Sequence, residues 1–179
     1  MKKKLILLSG VLLLASSPSF ADSQLTHAAG IHSVQVHGGC SVGNTWDAGL
    51  DYQYRFHKNW ALDIPVDYEW GTFNRSDFGG FRLSPGAETS VWQICSWLYL
   101  NLNARMVLGY DIWKNPDMQA VDKGFALGAS AGFNLEFFAI PELSVTLAAS
   151  QSWKYTWLTS GPYNYFSPLF TVGFKYNIR

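Results

Sequence analysis

The sequence predicts an all-β fold: a closed antiparallel eight-stranded transmembrane up-and-down β-barrel. Three observations predict it. Beyond about residue 30 the chain alternates apolar and polar residues run after run, the period of strands with one greasy and one wet face. Within the clearest runs the apolar face is sorted by depth, with Trp and Tyr at the ends and aliphatics between, as a bilayer requires. The connections alternate between tight turns and longer polar loops, the habit of barrels that cross an outer membrane.

The first residues are of another kind. Lys2, Lys3 and Lys4 precede the apolar run Leu5 to Ala15, and Ser19-Phe20-Ala21 ends in a small-x-small pattern. This predicts a signal peptide over 1–21 and a barrel domain over 22–179. No later run is long and apolar enough for a transmembrane helix, so a membrane must be crossed by strands. Cleavage after Ala21 would leave about 158 residues, enough for one domain. It would also remove three of the 13 Lys and Arg residues against 13 Asp and Glu. With no basic excess, nucleic-acid binding has no electrostatic support. Mean hydropathy is +0.00 although aromatics reach 16%. Alternating strands average hydropathy away while aromatic girdles raise the Trp and Tyr count. A secreted β-sandwich would give similar totals; a lipocalin-like barrel would turn its apolar face inward.

Asp22 to Gly30 reads as a polar lead-in. Ile31 to Cys40 is the least regular strand, with Val34 and Val36 against Ser33, Gln35 and His37, and a loop follows at Ser41 to Asn44. Thr45 to Phe56 is the clearest: Trp46, Ala48, Leu50, Tyr52, Tyr54 and Phe56 face out, and Asp47, Asp51 and Arg55 face in. After a turn at 57–59, Trp60 to Phe73 carries Trp60, Leu62, Ile64, Val66, Tyr68 and Trp70 against Asp63, Pro65, Asp67 and Glu69. Pro65 cannot donate to a ladder, so a bulge is expected there. Asn74 to Gly80 reads as a loop, Phe81 to Val91 as the fourth strand with Arg82 and Glu88 inward, and Trp92 to Ser96 as a turn. Trp97 to Trp113 puts Leu102 and Tyr110 out, and Arg105 and Asp111 in. A long polar loop at Lys114 to Lys123 leads to Gly124 to Phe138, with Glu136 inward. A turn at 139–142 precedes Leu143 to Trp157, with Trp153, Tyr155 and Trp157 out and Lys154 in. Thr159 to Asn164 is a loop, and Tyr165 to Arg179 is the closing strand, with Lys175 inward.

That last strand ends on Thr171, Gly173, Tyr176 and Ile178. This spacing resembles the C-terminal assembly signal of bacterial outer-membrane barrels, from which only Arg179 departs. With eight strands of matching period, the chain resembles the small eight-stranded outer-membrane proteins of the OmpA/OmpX/opacity type from Ile31 to Ile178. The resemblance implies a Gram-negative outer-membrane location, contact with lipid and lipopolysaccharide, and handling by periplasmic chaperones and the barrel-assembly machinery. It also implies a structural or surface-interaction role, with a host or envelope ligand met through the loops Asn74–Gly80, Lys114–Lys123 and Thr159–Asn164. The alternatives are a small passive, porin-like pore and a lipid A-modifying barrel enzyme.

An eight-stranded barrel is just wide enough for side chains to fill its interior. The expected polar network is Asp51, Arg55, Asp63, Asp67, Glu69, Arg82, Glu88, Arg105, Glu136, Lys154 and Lys175, with Arg55, Arg82 and Arg105 as partners for the acids of Asp63 to Glu69. The expected membrane-interface aromatics are Trp46, Tyr54, Trp60, Tyr68, Trp70, Tyr110, Trp153, Tyr155, Trp157 and Tyr176. No catalytic, cofactor or metal site is expected. His32 and His37 are five apart, on opposite faces of a strand, and no acid cluster is tied to either in the sequence. Cys40 and Cys95 should lie at opposite ends of the barrel, too far apart for a disulfide.

Overall fold

The computed structural model describes residues 27–41, 44–73, 76–115 and 120–178. The expected signal peptide lies outside them. Among the described residues nine strands form one antiparallel sheet: β1 Ile31–Ser41, β2 Thr45–His57, β3 Trp60–Phe73, β4 Ser76–Leu83, β5 Gly86–Cys95, β6 Leu98–Asn115, β7 Ala120–Ile140, β8 Leu143–Leu158 and β9 Gly161–Ile178. The sheet closes on itself, because β1 pairs with both β2 and β9. β4 and β5 both lie between β3 and β6, so together they are one barrel strand and the barrel has eight.

The break between β4 and β5 falls at Ser84–Pro85, and it explains how Pro65 is housed. The expected bulge at Pro65 is absent, for Pro65 pairs in register with Asp51. Its carbonyl accepts from the Ser84 amide at 3.0 Å. In an antiparallel ladder a residue's N–H and C=O point the same way. The donor that Pro65 lacks therefore faces the one place where the neighbouring strand is interrupted.

Several boundaries differ from the sequence expectation, all in the same sense: strands are longer and turns tighter. Ser76 to Gly80, expected as loop, pairs with β3 and β6. The expected turn at 92–96 is strand as far as Cys95, with register shifts after Ser90 and Gln93, and the chain reverses at Ser96-Trp97. Lys114 and Val121 pair with each other, so β6 and β7 run into the expected loop. β8 and β9 join through Thr159-Ser160 alone. Apart from the apolar 92–96, polar composition marked these segments as loops, because the outer face of a strand that projects past a greasy band meets water and alternation fades there.

The least regular of the expected strands, Ile31 to Cys40, exists in full, and it seals the seam from His32 opposite Ile178 to Ser41 opposite Leu169. The apolar faces point outward as expected. Trp46, Tyr68, Trp70, Tyr110, Trp153 and Trp157 are exposed towards the end where β2 begins, which we call the loop end. Trp60 and Tyr176 are exposed towards the opposite, turn end. Leu50, Val66, Leu102, Leu147 and Val172 lie exposed between the two belts. The solvent-shielded core is the lumen, and it is mostly polar.

The closed lumen as candidate functional site

Each inward side chain is placed by strand parity, and the registers then stack these side chains in three tiers. Nearest the turn end, Lys175 Nζ lies 3.0 Å from Glu136 and 3.9 Å from Glu88. Arg55 lies 3.7 Å from Glu88, which also accepts from Gln53 and Asn134. Ser144 and Asn101 donate to Glu136. In the middle, Arg105 holds Asp63 with Nε at 2.5 Å and reaches Asp51 at 3.9 Å. Towards the loop end, Arg82 pairs with Asp47 and, at 3.1 Å, with Glu69. Lys154 bridges Glu69 at 3.2 Å and Asp111 at 3.5 Å. Gly80 faces Asp111, and a Cβ there would come within 2.3 Å of its carboxylate. The expected partnership of Arg55 with the acids of Asp63 to Glu69 is thus corrected. Arg55 stands near the turn end, opposite Ala61 rather than beside the β3 acids, and Glu88 is the carboxylate within its reach.

Aromatic clusters cork both ends. Tyr99 and Phe138 are buried at the turn end. Phe78, Trp113 and Tyr165 are buried at the loop end, with Lys154 Nζ 4.9 Å from the Tyr165 ring. These inward aromatics were not anticipated. The signal was available: each shares its strand face with an inward polar residue, Phe78 with Arg82, Trp113 with Asp111, Tyr165 with Lys175, Tyr99 with Asn101 and Phe138 with Glu136.

From the polar lead-in, His27 also belongs to the core. His27 is 5% exposed and stacks on Tyr99 at 3.9 Å. Its Nδ1 meets Ser90 Oγ at 3.0 Å and its Nε2 meets Glu136 at 3.2 Å. Burial lowers its pKa below the usual imidazole value, outweighing the raising effect of Glu136. Serine, histidine and glutamate in this order have the connectivity of a nucleophile with its base and acid. Here Arg55 also donates to Ser90 Oγ and Lys175 neutralises Glu136, so the three residues tie the lead-in to the barrel wall.

A second histidine overturns an expectation. His32 and His37 do face opposite ways: His32 is exposed and bonds the Tyr52 hydroxyl at 2.6 Å. His37, however, is tied to an acid cluster. Its Nε2 lies 2.9 Å from Asp67 Oδ1 and 3.6 Å from Asp47 Oδ1. The reason is register. His37 is opposite Gly49, and Gly49 is opposite Asp67, so the three form a row across β1, β2 and β3. The middle member has no side chain, and His37 reaches over it. Parity was legible in the sequence; this row was not.

Cys40 and Cys95 are exposed free thiols, the first opposite Trp46 at the loop end and the second opposite Leu98 at the turn end. In β9, Thr171 and Gly173 face the lumen side while Tyr176 and Ile178 are exposed outside. Of the remaining expected aromatics, Tyr54 and Tyr155 are half-buried on the outer face.

No protein-family model matches the chain, and no curated protein sequence does. Solved structures do. The N-terminal β-barrel domain of Pseudomonas aeruginosa OprF superposes with a TM-score of 0.63 at 11% identity, covering 84% of this chain and 98% of that one. Neisserial surface protein A, NspA, gives 0.61 at 11% identity, covering 83% and 97%. The fold is that of the small eight-stranded outer-membrane barrels. Ail, the attachment invasion locus protein of Yersinia pestis, adds a TM-score of 0.52 at 15% identity, covering 84% and 99%.

Proposed function

We propose that this protein is an integral barrel of the bacterial outer membrane, exported through its N-terminal signal, with a structural or surface-interaction role. The observation that carries this reading is the corked, ion-paired lumen inside a greasy, aromatic-belted wall. A barrel whose interior is filled by its own side chains has only its outer wall and its two rims to work with. Lipid and lipopolysaccharide cover the wall, Thr171, Gly173, Tyr176 and Ile178 are the assembly signal for chaperones and the assembly machinery, and the loop-end rim is the surface for a host or envelope ligand. The names of two neighbours, a surface protein and an attachment invasion locus protein, favour this over a passive pore.

Planar-bilayer recording tests the closed lumen: the folded protein should give no stable single-channel conductance, and steady steps would install the pore reading. Membrane insertion is tested at Leu102. Leu102→Arg on the exposed outer band should destabilise by about 2–4 kcal/mol in lipid, whereas Ser130→Arg on the inward face should not show the same dependence on bilayer depth. For the enzyme reading, lipid A mass spectra should be identical with and without Ser90→Ala; a missing acyl change would overturn that exclusion.

A further inference from the structure

We propose that His37, Asp47 and Asp67 form a divalent transition-metal site inside the barrel, with Zn²⁺ the ion that fits the donors best. Nitrogen and oxygen ligands of this kind suit Zn²⁺, which holds imidazole nitrogen at about 2.0–2.1 Å and carboxylate oxygen at about 2.0–2.2 Å. Two tetrahedral ligands therefore stand about 3.4 Å apart. The distances from His37 Nε2, 2.9 Å and 3.6 Å, straddle that separation, and all three donor atoms lie within 4.8 Å of one another.

Three independent observations point to a cation here. The first is an unanswered oxygen. Asp47 is 2% exposed, and its Oδ1 has no donor at hydrogen-bond distance among the described residues, His37 Nε2 standing 3.6 Å away. Asp47's other oxygen is held by Arg82, an outer contact of the kind that orients a ligating carboxylate. The second is charge. Around this point Asp47, Asp67, Glu69 and Asp111 meet two fixed cations, Arg82 and Lys154, among the described residues. A buried carboxylate without a compensating charge is strongly destabilising. Even with His37 charged the tier is one cation short, and one divalent ion with His37 neutral balances it. The third is space. Gly49 lies beneath the pair, and a Cβ there would come within 2.3 Å of Asp67 Oδ1 and 2.9 Å of the His37 ring. A cavity of about 40 Å³ adjoins His37 and Asp67, enough for one or two water ligands to complete the coordination.

The experiment is a calorimetric Zn²⁺ titration of the folded protein in detergent, prepared without a polyhistidine tag. One ion per chain should bind. His37→Gln and Asp67→Asn should each weaken binding by more than the 10–100-fold typical of losing an outer-shell partner. His57→Gln, at the exposed last residue of β2, should leave it unchanged. Anomalous scattering at the zinc edge from wild-type crystals places the ion without relying on any variant. Absence of saturable binding, affinity indifferent to His37→Gln in a variant shown to be folded, or an anomalous peak away from His37 would overturn the site, and His37 would then be the third cation of its tier.

Discussion

Two parts of the same lumen solve the same problem differently. At the turn end, Glu88 and Glu136 meet Arg55 and Lys175, and every carboxylate oxygen of this pair has at least one partner at hydrogen-bond distance. At the loop end, four carboxylates share two fixed cations, and Asp47 Oδ1 is left without a donor at hydrogen-bond distance among the described residues. Where charge is matched, the network is a plug, and each member matters because its loss strands another. Where charge is unmatched, removing a carboxylate relieves rather than strands. The same polar lining is thus structural at one end and receptive at the other.

The contrast can be broken or sharpened by four measurements. Lys175→Met removes a cation from the matched end and leaves two buried carboxylates short. It should cost about 3–5 kcal/mol in denaturant unfolding from detergent. A cost under 1 kcal/mol would erase the distinction. Gly49→Ala forces a methyl against Asp67 Oδ1 and the Val66 carbonyl, 2.7 Å away. Overpacking of this kind should cost about 1–3 kcal/mol, read as an earlier melt, and it should separate His37 from Asp67. Asp67→Asn, measured in the absence of added metal, takes a charge out of the unmatched end. Its cost should be under about 1 kcal/mol, well below that of Lys175→Met.

The smallest effect concerns pH and the turn end. His27 is held neutral by burial, so its pKa is lower in the folded than in the unfolded state, where it is about 6.5. The unfolded state then binds the extra proton first. Stability from this residue is complete above pH 6.5 and is lost as pH falls below it. The protection factors of the Ala28 to Gly30 amides, their exchange rates taken relative to an unstructured chain at each pH, should fall between pH 7 and pH 5, and His27→Phe should flatten that response.

Parity explains what the sequence made legible. A period of two assigns each residue to the inside or the outside without knowledge of its neighbours, and Arg55, Arg82, Arg105, Lys154 and Lys175 all stand at inward positions of it. Register is another matter. It depends on pairings between strands far apart in the chain, so neither the Arg55–Glu88 contact nor the row His37–Gly49–Asp67 could be read in advance. The inward aromatics were visible by parity, yet an expectation of outer belts drew attention away from them. His27 lies in a stretch with no periodicity, and nothing in its neighbourhood marked it as buried.

The seam between β1 and β9 has a consequence for time rather than for stability. Its partners, His32 with Ile178 through Ser41 with Leu169, are the most widely separated in the chain. Each of the other seams can zip from a hairpin or a near neighbour, whereas this one must bring together segments from opposite ends of the domain. Contacts of such long sequence range are slow to form. Closure therefore waits for β9, and until then the free edges of β1 and β8 are open to the wrong partner. A chain built this way spends its vulnerable interval unsealed, and that interval ends only when its last strand arrives.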